Sequence, residues 1–156
     1  MLNIYLLYNT VRNRIMDDDI IKLISLTLLL DLLLLFILLS QSLKVSDTCF
    51  VYNVFLVHFI FLYSLCYGHQ LFIDFCHYSL FLLLLISPFI VCNLYILCVC
   101  LFLVFMIQFL WVVEGRCILN KEGDFFGFGK TISICTLLHT IFLSIIIGKK
   151  YMTSYN

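Results

Sequence analysis

Long runs of apolar residues, separated by short polar segments, fill most of the chain after its first 19 residues. An α-helix needs about 20 consecutive apolar residues to cross the hydrocarbon core of a bilayer. The pattern therefore predicts about five transmembrane helices. Their expected ranges are 20–39, 49–67, 71–87, 92–113 and 131–148.

Polar and special residues mark the ends of these runs. The acidic residues Asp17–Asp19 precede the first run, where negative charge stabilises a helix N-terminus. Gly68 is expected to terminate the second helix, and Pro88 to end or kink the third. The fifth run closes at Gly148, followed by two lysines at 149–150.

Two short pieces lie outside the predicted bundle. The apolar start of residues 1–19 is too short to span a bilayer, and it is followed by arginines and aspartates. We expect this segment to be interfacial or disordered, and residues 151–156 to be a tail. The fold class is thus all-α: a polytopic membrane helix bundle over residues 20–150, with about five transmembrane helices.

Composition supports a lipid environment. Apolar residues make up 64% of the chain and charged residues 12%, against about 45–50% and 25% in typical soluble domains. A water-soluble domain of 156 residues has too little interior to bury that much apolar surface. The chain also lacks alanine and has one proline, which indicates an AT-rich genome such as that of a large DNA virus, an organelle or an endosymbiont.

Net charge bears on partners. The formal charge is zero, so nothing favours a nucleic acid as partner. We expect the partners to be the lipid bilayer and either other membrane subunits or further copies of the chain.

The distribution of lysine and arginine predicts an orientation, because positive charge accumulates on the cytoplasmic side. With five spans, the N-terminal side carries six cations and the opposite side three. If the run at 71–87 is instead re-entrant or interfacial, the split becomes five to four. The bias therefore favours five spans and a cytoplasmic N-terminus, with four spans as the alternative.

Three ionisable residues fall near the middle of predicted spans: Asp31, His58 and His139. Such groups are costly in a bilayer and usually face a partner or a cavity. We predict that they form an intramembrane polar network. The favoured interpretation is a structural hydrogen bond between helices, and the second is a proton relay. A third alternative is that the helix faces never meet.

Cofactor and metal sites are not favoured. Histidines on two spans, here His58 and His139, can ligate haem in membrane cytochromes, but these spans lack glycines at which the macrocycle would meet the helices. Most of the eight cysteines lie in or beside apolar runs, where thiols behave as small apolar side chains. Asp74 and His77 share a helix face and are read as a local carboxylate–imidazole pair. We predict no metal and no cofactor.

The segment 111–122 reads WVVEGRCILNKE. It resembles a turn in small membrane proteins of nucleocytoplasmic large DNA viruses, in which a span ends in Trp and is followed by Gly, Cys-x-Leu-Thr/Asn and an acidic residue. A bacterial family of small membrane proteins has a similar turn. The residues assigned to the interfacial turn are Trp111, Gly115, Arg116, Cys117, Asn120 and Glu122.

This chain departs from the viral pattern at three positions. Leu110 stands where histidine is common, Asn120 where threonine is commoner, and Glu122 comes one residue early. The resemblance implies a multi-pass membrane protein and assigns no activity.

These observations give three functional hypotheses. The first is a non-catalytic membrane component, viral in origin and not an enzyme. The second is an organelle-encoded hydrophobic subunit of a respiratory or ATP-synthase complex. The third is a small transporter or proton-relay protein that uses Asp31, His58 and His139.

Overall fold

The structure is a computed structural model that describes residues 17–114 and 129–154, and over these residues it contains helices and short connections. The prediction of an all-α fold is confirmed. The five helices are α1 (Asp17–Ser40), α2 (Val45–Tyr67), α3 (Gln70–Ile90), α4 (Leu94–Glu114) and α5 (Gly129–Ser154).

Most of the helices extend beyond the apolar runs from which they were predicted. Helix α1 begins at Asp17 and α2 at Val45, with acidic residues in their first turns. Acidic groups there stabilise the helix start, although hydropathy places them outside the span. Helix α5 continues to Ser154, so the expected stop at Gly148 is wrong. Gly148 does not have a positive φ, and the lysines after it are good helix formers.

Of the two other predicted helix ends, Gly68 terminates its helix, whereas Pro88 lies within its helix. Gly68 has a φ of 69° and caps α2 in the left-handed conformation, as predicted. Pro88 lies inside α3, which ends two residues later at Ile90. Because proline has no N–H, the Leu84 carbonyl loses its usual helical donor. The Ser87 hydroxyl donates to this carbonyl at 2.8 Å, which keeps the last turn bonded.

Helices α1 to α4 are long and apolar enough to cross a membrane, including the run at 71–87 whose status was open. Helix α5 has 26 residues, and its sequence carries no Asp, Glu, Lys or Arg from Thr131 to Gly148. These features are those of a multi-pass membrane protein.

Helices α1 to α4 run in alternating directions. The links at residues 41–44, 68–69 and 91–93 are too short to carry the chain back along the length of a helix. We call the end at which α1 begins the N-terminal face, and the end at which α1 stops the opposite face. The C-terminal part of α5 reaches the opposite face, where Lys150 contacts the α3–α4 link.

Helix α1 packs against α2 and α4, while α3 packs against α2, α4 and α5. The larger apolar cluster draws on all five helices and includes Leu34, Val51, Leu84, Leu97 and Leu143. A smaller cluster joins α2 and α3 nearer the N-terminal face, with Phe61, Leu65, Ile73 and Cys76. Outside these clusters, the perimeter carries many exposed apolar side chains, such as Phe36 at 69% and Phe59 at 71%. Such a perimeter suits contact with lipid.

Two polar side chains hold the α3–α4 link at the opposite face. The Asp47 carboxylate, 2% exposed, accepts a hydrogen bond from the Cys92 amide through Oδ1 at 2.6 Å. Lys150 Nζ donates to the Val91 carbonyl at 2.6 Å. Both contacts satisfy backbone groups that the break between the helices leaves unpaired.

The neighbouring lysine supplies a matched test of this arrangement. We expect Lys150→Met to lower the free energy of unfolding by about 1 kcal/mol, because the Val91 carbonyl loses a charge-assisted bond. Lys149→Met should change it by less than about 0.5 kcal/mol, since Lys149 is exposed. Denaturant titration of both variants in detergent measures the difference. Equal effects would contradict the assigned contact.

Candidate intramembrane site

Asp31 on α1 and His58 on α2 meet near the middle of the bundle. His58 Nδ1 lies 2.6 Å from Asp31 Oδ1. The imidazole side chain is 3% exposed and the carboxylate 25%. The pair therefore joins an interior histidine to an aspartate nearer the bundle perimeter, within a segment where few other polar partners exist.

The contact orients the imidazole. A carboxylate at Asp31 accepts the proton of Nδ1, which leaves Nε2 as an acceptor when the ring is neutral. Among the described residues, His58 Nε2 has no hydrogen-bond partner. The pair thus places one free imidazole nitrogen inside the bundle.

A cavity of about 100 Å³ lies next to this pair, among α1, α2, α3 and α4. It occupies the boundary between the two apolar clusters and is lined by Leu30 and Leu103 from one and Phe61 and Cys76 from the other. Its wall is almost wholly apolar. The polar exceptions include His58 and His77, together with Trp111 near the end of α4.

His139, the third residue of the predicted network, does not join the pair. Its Nε2 is buried and finds no hydrogen-bond partner among residues 17–114 and 129–154. The ring lies beside the backbone of Leu84, whose carbonyl Pro88 leaves without its helical donor. His139 therefore lies where α3 and α5 meet. Of the three predicted members of the network, the structure brings together Asp31 and His58.

Asp74 and His77, the expected local pair, interact through the charge of the carboxylate but share no hydrogen bond in the described part of the chain. Asp74 instead accepts from Gln70 Nε2 at 2.6 Å, one turn earlier on α3. His77 borders the cavity and stacks on Tyr78, with ring centroids 5.7 Å apart.

Of the predicted interfacial turn, only Trp111 belongs to the described residues. It lies one turn before the end of α4, as expected of an interfacial aromatic, but it also borders the cavity. The other members, Gly115, Arg116, Cys117, Asn120 and Glu122, lie outside the described ranges.

Three polar contacts were missed by sequence reasoning. Besides the contacts of Asp47 and Lys150, Gln108 Nε2 on α4 donates to Thr140 Oγ1 on α5 at 2.9 Å. Gln108 was the available signal, because an amide within an apolar run needs a partner. Asp47 gave no such signal, since it falls in a stretch that resembles a solvated loop.

The chain was compared with known proteins in three ways. No family model matches it, and no curated protein or solved structure matches it either.

Proposed function

We propose that this protein is a non-catalytic, multi-pass component of a membrane, whose intramembrane polar groups fix the arrangement of its helices. The observation that carries the proposal is the Asp31–His58 contact, which joins two different helices at 2.6 Å. Gln108 and Thr140 make an equivalent connection between α4 and α5. Polar contacts of this kind between spans stabilise helix association in lipid.

The contacts at the opposite face have the same character. Asp47 on α2 and Lys150 on α5 bond to backbone groups of the α3–α4 link, so each connects a different helix to that link. Polar side chains that bond to the protein's own backbone are typical of a structural role. A transport site would instead present them to a substrate path.

A proton relay is the second candidate, and one observation favours it. His58, which contacts Asp31, borders a cavity that His77 also lines, so three titratable groups follow one another across three helices. Against this, the cavity wall is almost wholly apolar, so it offers a water molecule few hydrogen-bond partners. A relay needs water or another proton carrier between the imidazoles.

Proton flux into liposomes separates the two functions. The purified protein is reconstituted with an internal pH dye, and a potassium gradient with valinomycin drives proton entry. The structural function predicts that wild type and Asp31→Asn both match empty liposomes. A flux that wild type adds, that Asp31→Asn abolishes and that Asp74→Asn preserves would establish the relay, provided that Asp31→Asn keeps its helical circular dichroism spectrum.

We further propose a viral origin, supported by the alanine-free composition and by the resemblance at residues 111–122. The organelle-subunit alternative shares the composition. The neighbouring genes distinguish them, since capsid genes would support the first and respiratory-chain genes the second.

A cytoplasmic N-terminus is also proposed, on the excess of lysine and arginine on that side. With five spans, the C-terminus then faces away from the cytoplasm. A reporter fused after Asn156 should be active only in that compartment, and cytoplasmic activity would reverse the orientation.

A further inference from the structure

We propose that the cavity beside the Asp31–His58 pair binds a small neutral aromatic molecule that carries a hydroxyl group, of the phenol class. This inference concerns a ligand and does not depend on the proposed function. It stands on the cavity's size, its apolar wall and the free ring nitrogen of His58.

The size limits the ligand to a single ring at most. The cavity measures about 100 Å³, which is of the same order as the ~150 Å³ apolar cavity known to take up benzene. Its lining comes from α1 to α4, all of which are membrane-spanning candidates. A ligand of this cavity is therefore one that dissolves in the bilayer.

The apolar wall excludes charged and strongly hydrated ligands. Leu30, Phe61, Leu103 and Ile107 are among the residues that supply it, and burying an ion against them would carry a large desolvation cost. A ring without polar atoms would fill the space but would leave the histidine nitrogen unpaired.

His58 supplies the selective contact. Asp31 fixes the imidazole through Nδ1 at 2.6 Å, so the ring is held in one orientation before any ligand arrives. In the neutral ring, Nε2 then accepts a proton donor. A phenol hydroxyl is such a donor, and it remains uncharged at neutral pH. The site resembles the usual small-molecule pocket, which is mostly apolar with a few fixed polar groups.

Trp111 makes the site directly observable, because it lines the cavity and is the one tryptophan in the chain. A bromine atom on the ligand should quench its fluorescence on binding. The probes are 4-bromophenol and 4-bromotoluene, which differ in the hydroxyl, titrated into the full chain in nanodiscs. Concentrations are corrected for partition into lipid.

We expect saturable quenching in wild type, with 4-bromophenol binding about threefold to tenfold more tightly than 4-bromotoluene, as one hydrogen bond predicts. His58→Leu should bring this ratio close to one. Ile107→Phe fills the cavity and should abolish the saturable part. Ile145→Phe is the matched control, since Ile145 is 63% exposed on α5 and does not line the cavity.

Three results would each overturn the proposal: quenching in wild type that does not saturate, equal affinity for the two probes, or saturable binding that Ile107→Phe leaves intact. If His58→Leu does not fold, the wild-type ratio and the comparison of Ile107→Phe with Ile145→Phe still decide it. Both phenylalanine variants leave the Asp31–His58 pair in place.

Discussion

Replacing His58 with leucine is expected to lower the free energy of unfolding by about 2 kcal/mol. The substitution leaves the Asp31 carboxylate without the partner that now lies 2.6 Å away. A buried charge that loses its partner costs about 3–5 kcal/mol in soluble proteins. Hydrogen bonds between membrane helices average only about 0.6 kcal/mol.

The exposure of Asp31 decides between these magnitudes. Its side chain is 25% exposed, so after the substitution it can turn toward the perimeter. The cost therefore falls between the two limits. The double variant Asp31→Leu/His58→Leu should recover much of the lost stability. Leucine packs well in an apolar bundle interior, and no polar group is left unpaired.

A double-mutant cycle measures this coupling. Wild type, Asp31→Leu, His58→Leu and the double variant are unfolded in mixed micelles, with His69→Leu as a control. His69 makes ring contacts at the junction where α2 ends and α3 begins, and its replacement should cost less than about 0.5 kcal/mol. Strictly additive effects of the two leucine substitutions would show that the residues do not interact.

Asp47→Ala is the second substitution for which we expect a large effect, a loss of about 2 kcal/mol. Asp47 is 2% exposed and accepts from the Cys92 amide at 2.6 Å. Alanine would leave that amide unpaired at the α3–α4 break and remove a negative charge from the first turn of α2. Asp47→Asn keeps an oxygen acceptor and should lose less.

Hydrogen exchange of the Cys92 amide checks the mechanism separately from stability. The exchange should be fastest in Asp47→Ala, intermediate in Asp47→Asn and slowest in wild type. Identical exchange in the three proteins would remove Asp47 as the acceptor, whatever its effect on stability.

The sequence was sufficient to predict the helices, because lipid imposes a simple rule on length and polarity. It also indicated that Asp31 and His58 need partners. It did not reveal which partners they have, because this depends on which face each helix turns toward its neighbours. His139 illustrates the point: in the sequence it falls near the middle of its predicted span, as Asp31 and His58 do, yet its ring lies beside the Leu84 backbone.

Helix ends were predicted less well, for a physical reason. Hydropathy marks where lipid begins, whereas a helix ends where its backbone bonds end. Helix α5 passes through Gly148, and beyond it Lys150 bonds to the Val91 carbonyl, 59 residues earlier in the chain. A contact of that range leaves no local signal in the sequence.

The central claim is that Asp31 and His58 join α1 to α2 inside the membrane, and solid-state NMR in lipid bilayers tests it most directly. The protein is labelled with ¹³C at the aspartate carboxyl carbons and ¹⁵N in the histidine rings, and the dipolar coupling between them is measured. The account predicts a strong coupling of His58 Nδ1 to one carboxyl carbon, as the 2.6 Å contact requires, and its loss in Asp31→Asn. A His58 resonance that couples to no carboxyl carbon in the wild-type protein would contradict the account.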